Sequence, residues 1–109
     1  MNAAVTLRKA GLSPSQAALL VTLVERDGPA TSATLAKESG VPRTSVYTVA
    51  DSLIDMGLIR TRSVTTGAMQ WEALGWGITC ARLRAHLEAN LAEQVEAIAG
   101  LAYTAAGLA

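Results

Sequence analysis

Arg43, Thr44, Ser45, Tyr47 and Thr48 crowd into the stretch Gly40–Ile59, which reads GVPRTSVYTVADSLIDMGLI. Their chemistry is donation. The arginine fork can give two parallel hydrogen bonds to a guanine edge, and hydroxyls can bond a base or a phosphate. Threonine methyls suit contact with thymine. Tyr47 can turn its ring inward and offer only its hydroxyl. The nearest acids, Asp51 and Asp55, come later and leave the first turn free of negative charge. A second group, Arg60 and Arg62, is spaced by two and so shares one face of a strand. Such a pair suits phosphate contact, although charge on an edge strand also guards against aggregation. Thr65 and Thr66, before Gly67, add hydroxyls at a turn. A third group is apolar: Leu83, Leu87, Leu91, Val95 and Ile98 form one helical stripe, the pattern of a surface that wants a partner.

Other chemistries find little support. There is no Gly-rich phosphate loop with a lysine, no nucleophile–His–acid set and no carboxylate pair at cleft spacing, so no catalytic residue is expected. His86 is the only histidine, and Cys80 the only cysteine. Together they offer no metal cluster, no internal disulfide and no cofactor. Cys80 lies near Arg82 and Arg84, which favour a thiolate, but a lone cysteine reads first as a small buried apolar residue. Trp71 and Trp76 read as packing residues.

The elements that must carry these groups follow from capping and periodicity. Ser13, Pro14 and Gln16 start a helix, with Ser13 and Gln16 forming a capping box. Ala17, Leu20, Leu23 and Val24 form its inner stripe, and Asp27-Gly28-Pro29 stops it, with Gly28 able to take a left-handed cap. Thr31 or Ser32 caps a short second helix that ends at Gly40. After Val41-Pro42, a third helix runs from about Arg43 to Met56, with Val46, Val49, Ala50 and Leu53 inward and Gly57 closing it. The period then changes to two. Leu58–Val64 and Ala68–Leu74 read as two strands of a hairpin, with Ile59, Thr61 and Ser63 on one face of the first and Met69, Trp71 and Ala73 on one face of the second. Gly75-Trp76-Gly77 reads as a hinge, and Ile78 to about Ala106 as one long helix weakened near Gly100.

Composition agrees with a mainly α fold carrying a small β-hairpin. Half of the 109 residues are apolar, alanine is abundant and phenylalanine is absent, so the core is built from Leu, Val and Ile. Formal net charge is zero, and no overall basic excess advertises nucleic acid. No early segment has a signal-peptide layout and no run approaches the roughly 20 apolar residues of a membrane span. A cytoplasmic protein with no membrane partner is expected. Arg8 and Lys9 read as a loose basic terminus.

The order helix, short helix, turn, helix, hairpin, long helix is that of a winged helix-turn-helix domain over 1–74 followed by a helix over 75–109. In that architecture the start of the third helix enters the DNA major groove. Gly11-Leu12-Ser13, Gly28-Pro29-Ala30-Thr31, Leu35-Ala36, Gly40-Val41-Pro42-Arg43, Val46-Tyr47, Leu53 and Met56-Gly57-Leu58-Ile59 also resemble the winged-helix domain of TrmB-like transcriptional regulators over about residues 5–74. The resemblance implies a DNA-binding regulator of transcription. Larger members carry a sugar-binding domain after it; here only a helix follows, and in compact regulators such a helix pairs two subunits.

The expectation is therefore a homodimeric, sequence-specific binder of double-stranded DNA. Arg43, Thr44, Ser45, Tyr47 and Thr48 meet the groove, and Arg60, Arg62, Thr65 and Thr66 follow the backbone. Leu83, Leu87, Leu91, Val95 and Ile98 join the subunits. No effector is named by the sequence. Zero net charge keeps a protein-interaction module as one alternative, and the single base-reading arginine keeps sequence-tolerant architectural binding as another.

Overall fold

The computed structural model describes residues 2–26, 28–62 and 67–108. Its elements are α1 (Ala3–Lys9), α2 (Pro14–Glu25), β1 (Ala30–Thr31), α3 (Ser32–Ser39), α4 (Arg43–Asp55), β2 (Ile59–Arg62), β3 (Gln70–Ala73) and α5 (Trp76–Leu108). The expected mainly helical, winged helix-turn-helix architecture with a long last helix is present.

Local chemistry explains most boundaries. Ser13 caps α2: its Oγ accepts from the Gln16 N–H at 3.1 Å, while the Ser13 N–H donates to Gln16 Oε1 at 2.8 Å. Thr31, rather than Ser32, caps α3 by accepting from the Thr34 N–H. Gly40 ends α3 in the left-handed region at φ 78°, where a side chain would collide with its own backbone. Gly57 turns the chain out of α4 in the same way at φ 76°.

Several expectations need correction. The terminus carrying Arg8 and Lys9 is not loose: it forms α1, capped by Asn2, and buries Leu7. The C-cap of α2 is Arg26 in an extended conformation, not Gly28. The hairpin is part of a three-stranded antiparallel sheet in the order β1-β3-β2. Ala30 pairs with Trp71 on one side of β3, and Thr61 with Trp71 on the other. Met69 lies outside β3 and is half exposed, as is true of no inward-facing residue there; Trp71 is buried and Ala73 packs on the core. Thr61 is exposed although Ile59 and its ladder partner Trp71 are buried; β2 is an outer strand of the sheet. Gly75-Trp76-Gly77 is not a hinge: α5 already begins at Trp76. Buried Thr79 anchors that start by donating from its hydroxyl to the Leu74 carbonyl at 3.0 Å. The helix continues through Gly100 to Leu108.

One hydrophobic cluster fills the domain. Leu19, Leu20 and Leu23 of α2 meet Leu35, Val46, Ala50, Leu53, Leu58 and Trp71. Leu83 belongs to this cluster at 6% exposure. It shares the spacing of the apolar stripe, but its own domain covers it, so it does not stand free for a second subunit. Beyond His86 every residue of α5 with a described side chain is exposed. The helix of 33 residues therefore stands out from the domain, about 50 Å long at about 1.5 Å per residue, and the molecule measures 63 × 33 × 24 Å.

Candidate nucleic-acid interface

Helix α4 packs by one face and offers the other. Val46, Ala50 and Leu53 are buried, while Arg43, Thr44, Tyr47 and Thr48 are exposed and Ser45 is half-buried. The packing of α4 is supported by a polar contact as well. Gln16, having completed its capping box, donates from Nε2 to Ser52 Oγ at 3.0 Å. Ser52 in turn donates to the Val49 carbonyl at 2.6 Å. The start of α2 is thereby tied to the last turn of α4.

The N-terminus of α4 differs from its neighbours. Ser13 and Thr31 cap α2 and α3 with side-chain oxygens, whereas Pro42 gives α4 no side-chain cap. The first turn of α4 holds no acid. The Ser45 N–H donates to the Pro42 carbonyl at 2.8 Å, which leaves the Arg43 and Thr44 N–H groups and the positive end of the helix dipole to meet an anion. Arg43, Thr44, Tyr47 and Thr48 surround it.

Tyr47 does two things at once. Its ring meets buried Trp71 edge-on, with centroids 5.2 Å apart and planes at 76°, yet 48% of the residue stays exposed. The recognition-helix candidate is thus braced against β3, while about half of the tyrosine remains at the surface. Among the described residues the buried Trp71 Nε1–H has no hydrogen-bond partner.

On the wing, Arg60 and Arg62 do share an exposed face, but they are not free cations. Arg60 Nε donates to Glu72 Oε1 at 2.7 Å, and Arg62 Nη1 to Glu72 Oε2 at 3.3 Å. The hydrogen bond from Arg60 chiefly holds the Glu72 carboxyl below its ordinary value; burial opposes this, and the charge of Arg60 and the contact with Arg62 add to it. Sequence reading missed Glu72. No local pattern marks it: Glu72 stands opposite Arg60 only once the hairpin register is known. Thr65 and Thr66, expected on the wing, lie outside the described residues.

The stripe on α5 is exposed: Leu87 37%, Leu91 61%, Val95 56% and Ile98 68%, continued by Leu101 at 70%. At its base, Thr6 and Leu7 of α1, Ala10 just after it, and Leu83 and Leu87 of α5 line an open apolar groove of about 290 Å³. Cys80 lies there too, exposed rather than buried. Arg84 pairs with Glu88 at 2.8 Å along the helix. Among the described residues no cluster of metal-ligating side chains is present, and no helix is long and apolar enough to cross a membrane.

Residues 7–73 match the family described as "Sugar-specific transcriptional regulator TrmB". The chain belongs to the TrmB family. No curated protein matches it significantly. Among solved structures it is similar to TrmBL2, described as an archaeal chromatin protein with a novel mode of DNA binding, at TM-score 0.78 and 22% identity. That likeness covers 97% of this chain but only 41% of TrmBL2. The ST1889 protein of Sulfolobus tokodaii aligns at TM-score 0.65 and 21% identity, covering 90% of this chain and 99% of that one. A MarR-family regulator from Silicibacter pomeroyi aligns at TM-score 0.59 and 24% identity, over 97% and 80% of the two chains. These likenesses establish the winged-helix fold of this TrmB-family protein.

Proposed function

We propose that this TrmB-family chain is a homodimeric, sequence-specific binder of double-stranded DNA that regulates transcription. The observation that carries the reading is the uncapped, acid-free and exposed N-terminus of α4, with Arg43, Thr44 and Thr48 beside it. A phosphate can settle on the open N–H groups while Arg43 reaches a guanine edge. Thr44, Ser45 and Thr48 supply further bonds to bases or backbone, and Tyr47 holds α4 at a fixed angle to the wing through Trp71. Arg60 and Arg62 follow the phosphates, with Thr65 and Thr66 at the wing turn.

Pairing through α5 supplies the second half-site. An extended helix exposed on every side is poorly stable by itself, because helices in proteins draw most of their stability from packing. Leu87, Leu91, Val95 and Ile98, continued by Leu101, give it a seam to pack, and the groove beside α1 lengthens that seam. In a two-fold dimer the two copies of α4 then meet two related half-sites.

Architectural binding without sequence preference is the second reading. Arg43 is the only arginine or lysine on α4, and the similar TrmBL2 is described as a chromatin protein. Titration of a fluorescent duplex separates the readings. Arg43→Ala should weaken a genome-selected duplex by about 1–3 kcal/mol and leave a random duplex almost unchanged. Equal losses on both favour architectural binding, and no wild-type binding to either at low salt leaves a protein-interaction module.

A further inference from the structure

The outward face of the wing carries a carboxylate where a phosphate clamp would want none. Glu72 stands directly opposite Arg60 in the ladder, and Arg62 lies diagonally across from it. Both arginines donate to it, one to each oxygen. The side chain of Glu72 is only 16% exposed, whereas those of Arg60 and Arg62 are 65% and 57% exposed. The acid is therefore covered by the two guanidinium groups that would meet DNA. The neighbouring Arg82 is committed elsewhere, its Nη1 donating to the Gly57 carbonyl at 3.1 Å. The trio thus holds a net charge of one plus rather than two.

We propose that Glu72 sets how strongly the wing grips DNA: it occupies Arg60 and Arg62 in the free protein, and a backbone phosphate must displace it from them. This rests on the reading of the wing as a phosphate-contacting element. A carboxylate and a phosphate are alike in charge and in the fork geometry they offer an arginine, so they compete for the same N–H groups. Each exposed ion pair holds an equilibrium factor of about fivefold or less. Two pairs on each of two wings make Glu72 a moderate brake on affinity for any duplex. It does not discriminate between sequences, because phosphates carry none of that information.

The test is a cycle of variants in the full chain, titrated on a genome-selected and a random duplex across a series of salt concentrations. Glu72→Gln keeps the shape and one acceptor oxygen but removes the charge. It should tighten both duplexes alike, by about threefold to thirtyfold at moderate salt. The salt slope should steepen by up to about 0.9 for each phosphate contact the acid had offset. In an Arg60→Ala/Arg62→Ala background the same change should do nothing. Circular dichroism of every variant confirms that the fold is kept. Unchanged or weaker binding of Glu72→Gln overturns the proposal; weaker binding would make Glu72 a brace that positions the arginines. A gain that persists without the arginines also overturns it, since the acid would then repel DNA directly. If wild type binds DNA but Arg60→Ala/Arg62→Ala leaves affinity and slope unaltered, it is the underlying reading of the wing that fails.

Discussion

Leu91→Ala should separate two subunits without harming either. Leu91 is 61% exposed on α5 and is not part of the domain core, so the isolated chain loses almost nothing when it is shortened. Alanine also has the best helix propensity, so α5 itself is not weakened. Full burial of a leucine side chain is worth about 1.5–3 kcal/mol, and covering the 61% still exposed is worth about 0.9–1.8 kcal/mol. A two-fold dimer loses it twice, about 2–3.5 kcal/mol in all. At about 1.4 kcal/mol per factor of ten, the dimer dissociation constant rises by about 30- to 300-fold. Sedimentation equilibrium over a wide concentration range measures that constant for both proteins, and thermal melting shows that the domain is intact. An unchanged constant would mean that Leu91 lies outside the seam. A wild type that is monomeric across the whole range would show that the exposed stripe does not pair subunits.

Three further outcomes follow from the fold. Trp71→Ala empties the centre of the sheet–helix contact and removes the ring that braces Tyr47; it should cost about 3–5 kcal/mol, read as a fall in the urea midpoint, and an unshifted midpoint would contradict the placement of Trp71 in the core. Gly40→Ala puts a side chain into the left-handed region at φ 78° with no atom within 4 Å, so its cost is purely conformational, about 1–2 kcal/mol. Gly40→Asn should recover part of that loss, and equal stability of all three proteins would contradict it. The carboxyl of Glu72 titrates lower in the folded chain than in the unfolded one. Its stabilisation is thus full above the ordinary carboxylate pKa and is lost as pH falls through the lowered folded value. Melting temperatures of wild type and Glu72→Gln should therefore differ more at pH 7 than at pH 3, and a gap that is constant with pH would argue against the ion pairs.

The recognition-helix candidate was legible because its signals are local. Ser13 and Gln16, Thr31, Gly40-Val41-Pro42 and Gly57 fix helix ends within a few residues, and the inward positions Val46, Ala50 and Leu53 follow from a 3.6-residue period. What escaped depended on distant partners. Strand β1 is two residues long, too short to alternate, and exists because β3 pairs with it. Helix α1 has seven residues and one buried side chain, too little for a periodic signal. Leu83 carries the same spacing as Leu87 and Leu91, and periodicity cannot say whether a helix face is covered by its own domain or by another chain. Trp76 sits between two glycines and reads as a hinge until its packing on the core is seen. Glu72 became meaningful only through cross-strand register, since in sequence it lies ten residues from Arg62.

In the function proposed, the exposed start of α4 reads base sequence in a two-fold arrangement. The most direct measurement is to retain genomic fragments on the purified full chain, sequence them, and repeat the selection with Arg43→Ala. One enriched motif is expected, with two related half-sites about 10–10.5 base pairs apart, centre to centre, or a multiple of that. In the Arg43→Ala selection one guanine-containing position should relax symmetrically in both halves while the rest of the motif survives. Retention of fragments with no shared motif, or an identical motif from the variant, would contradict it.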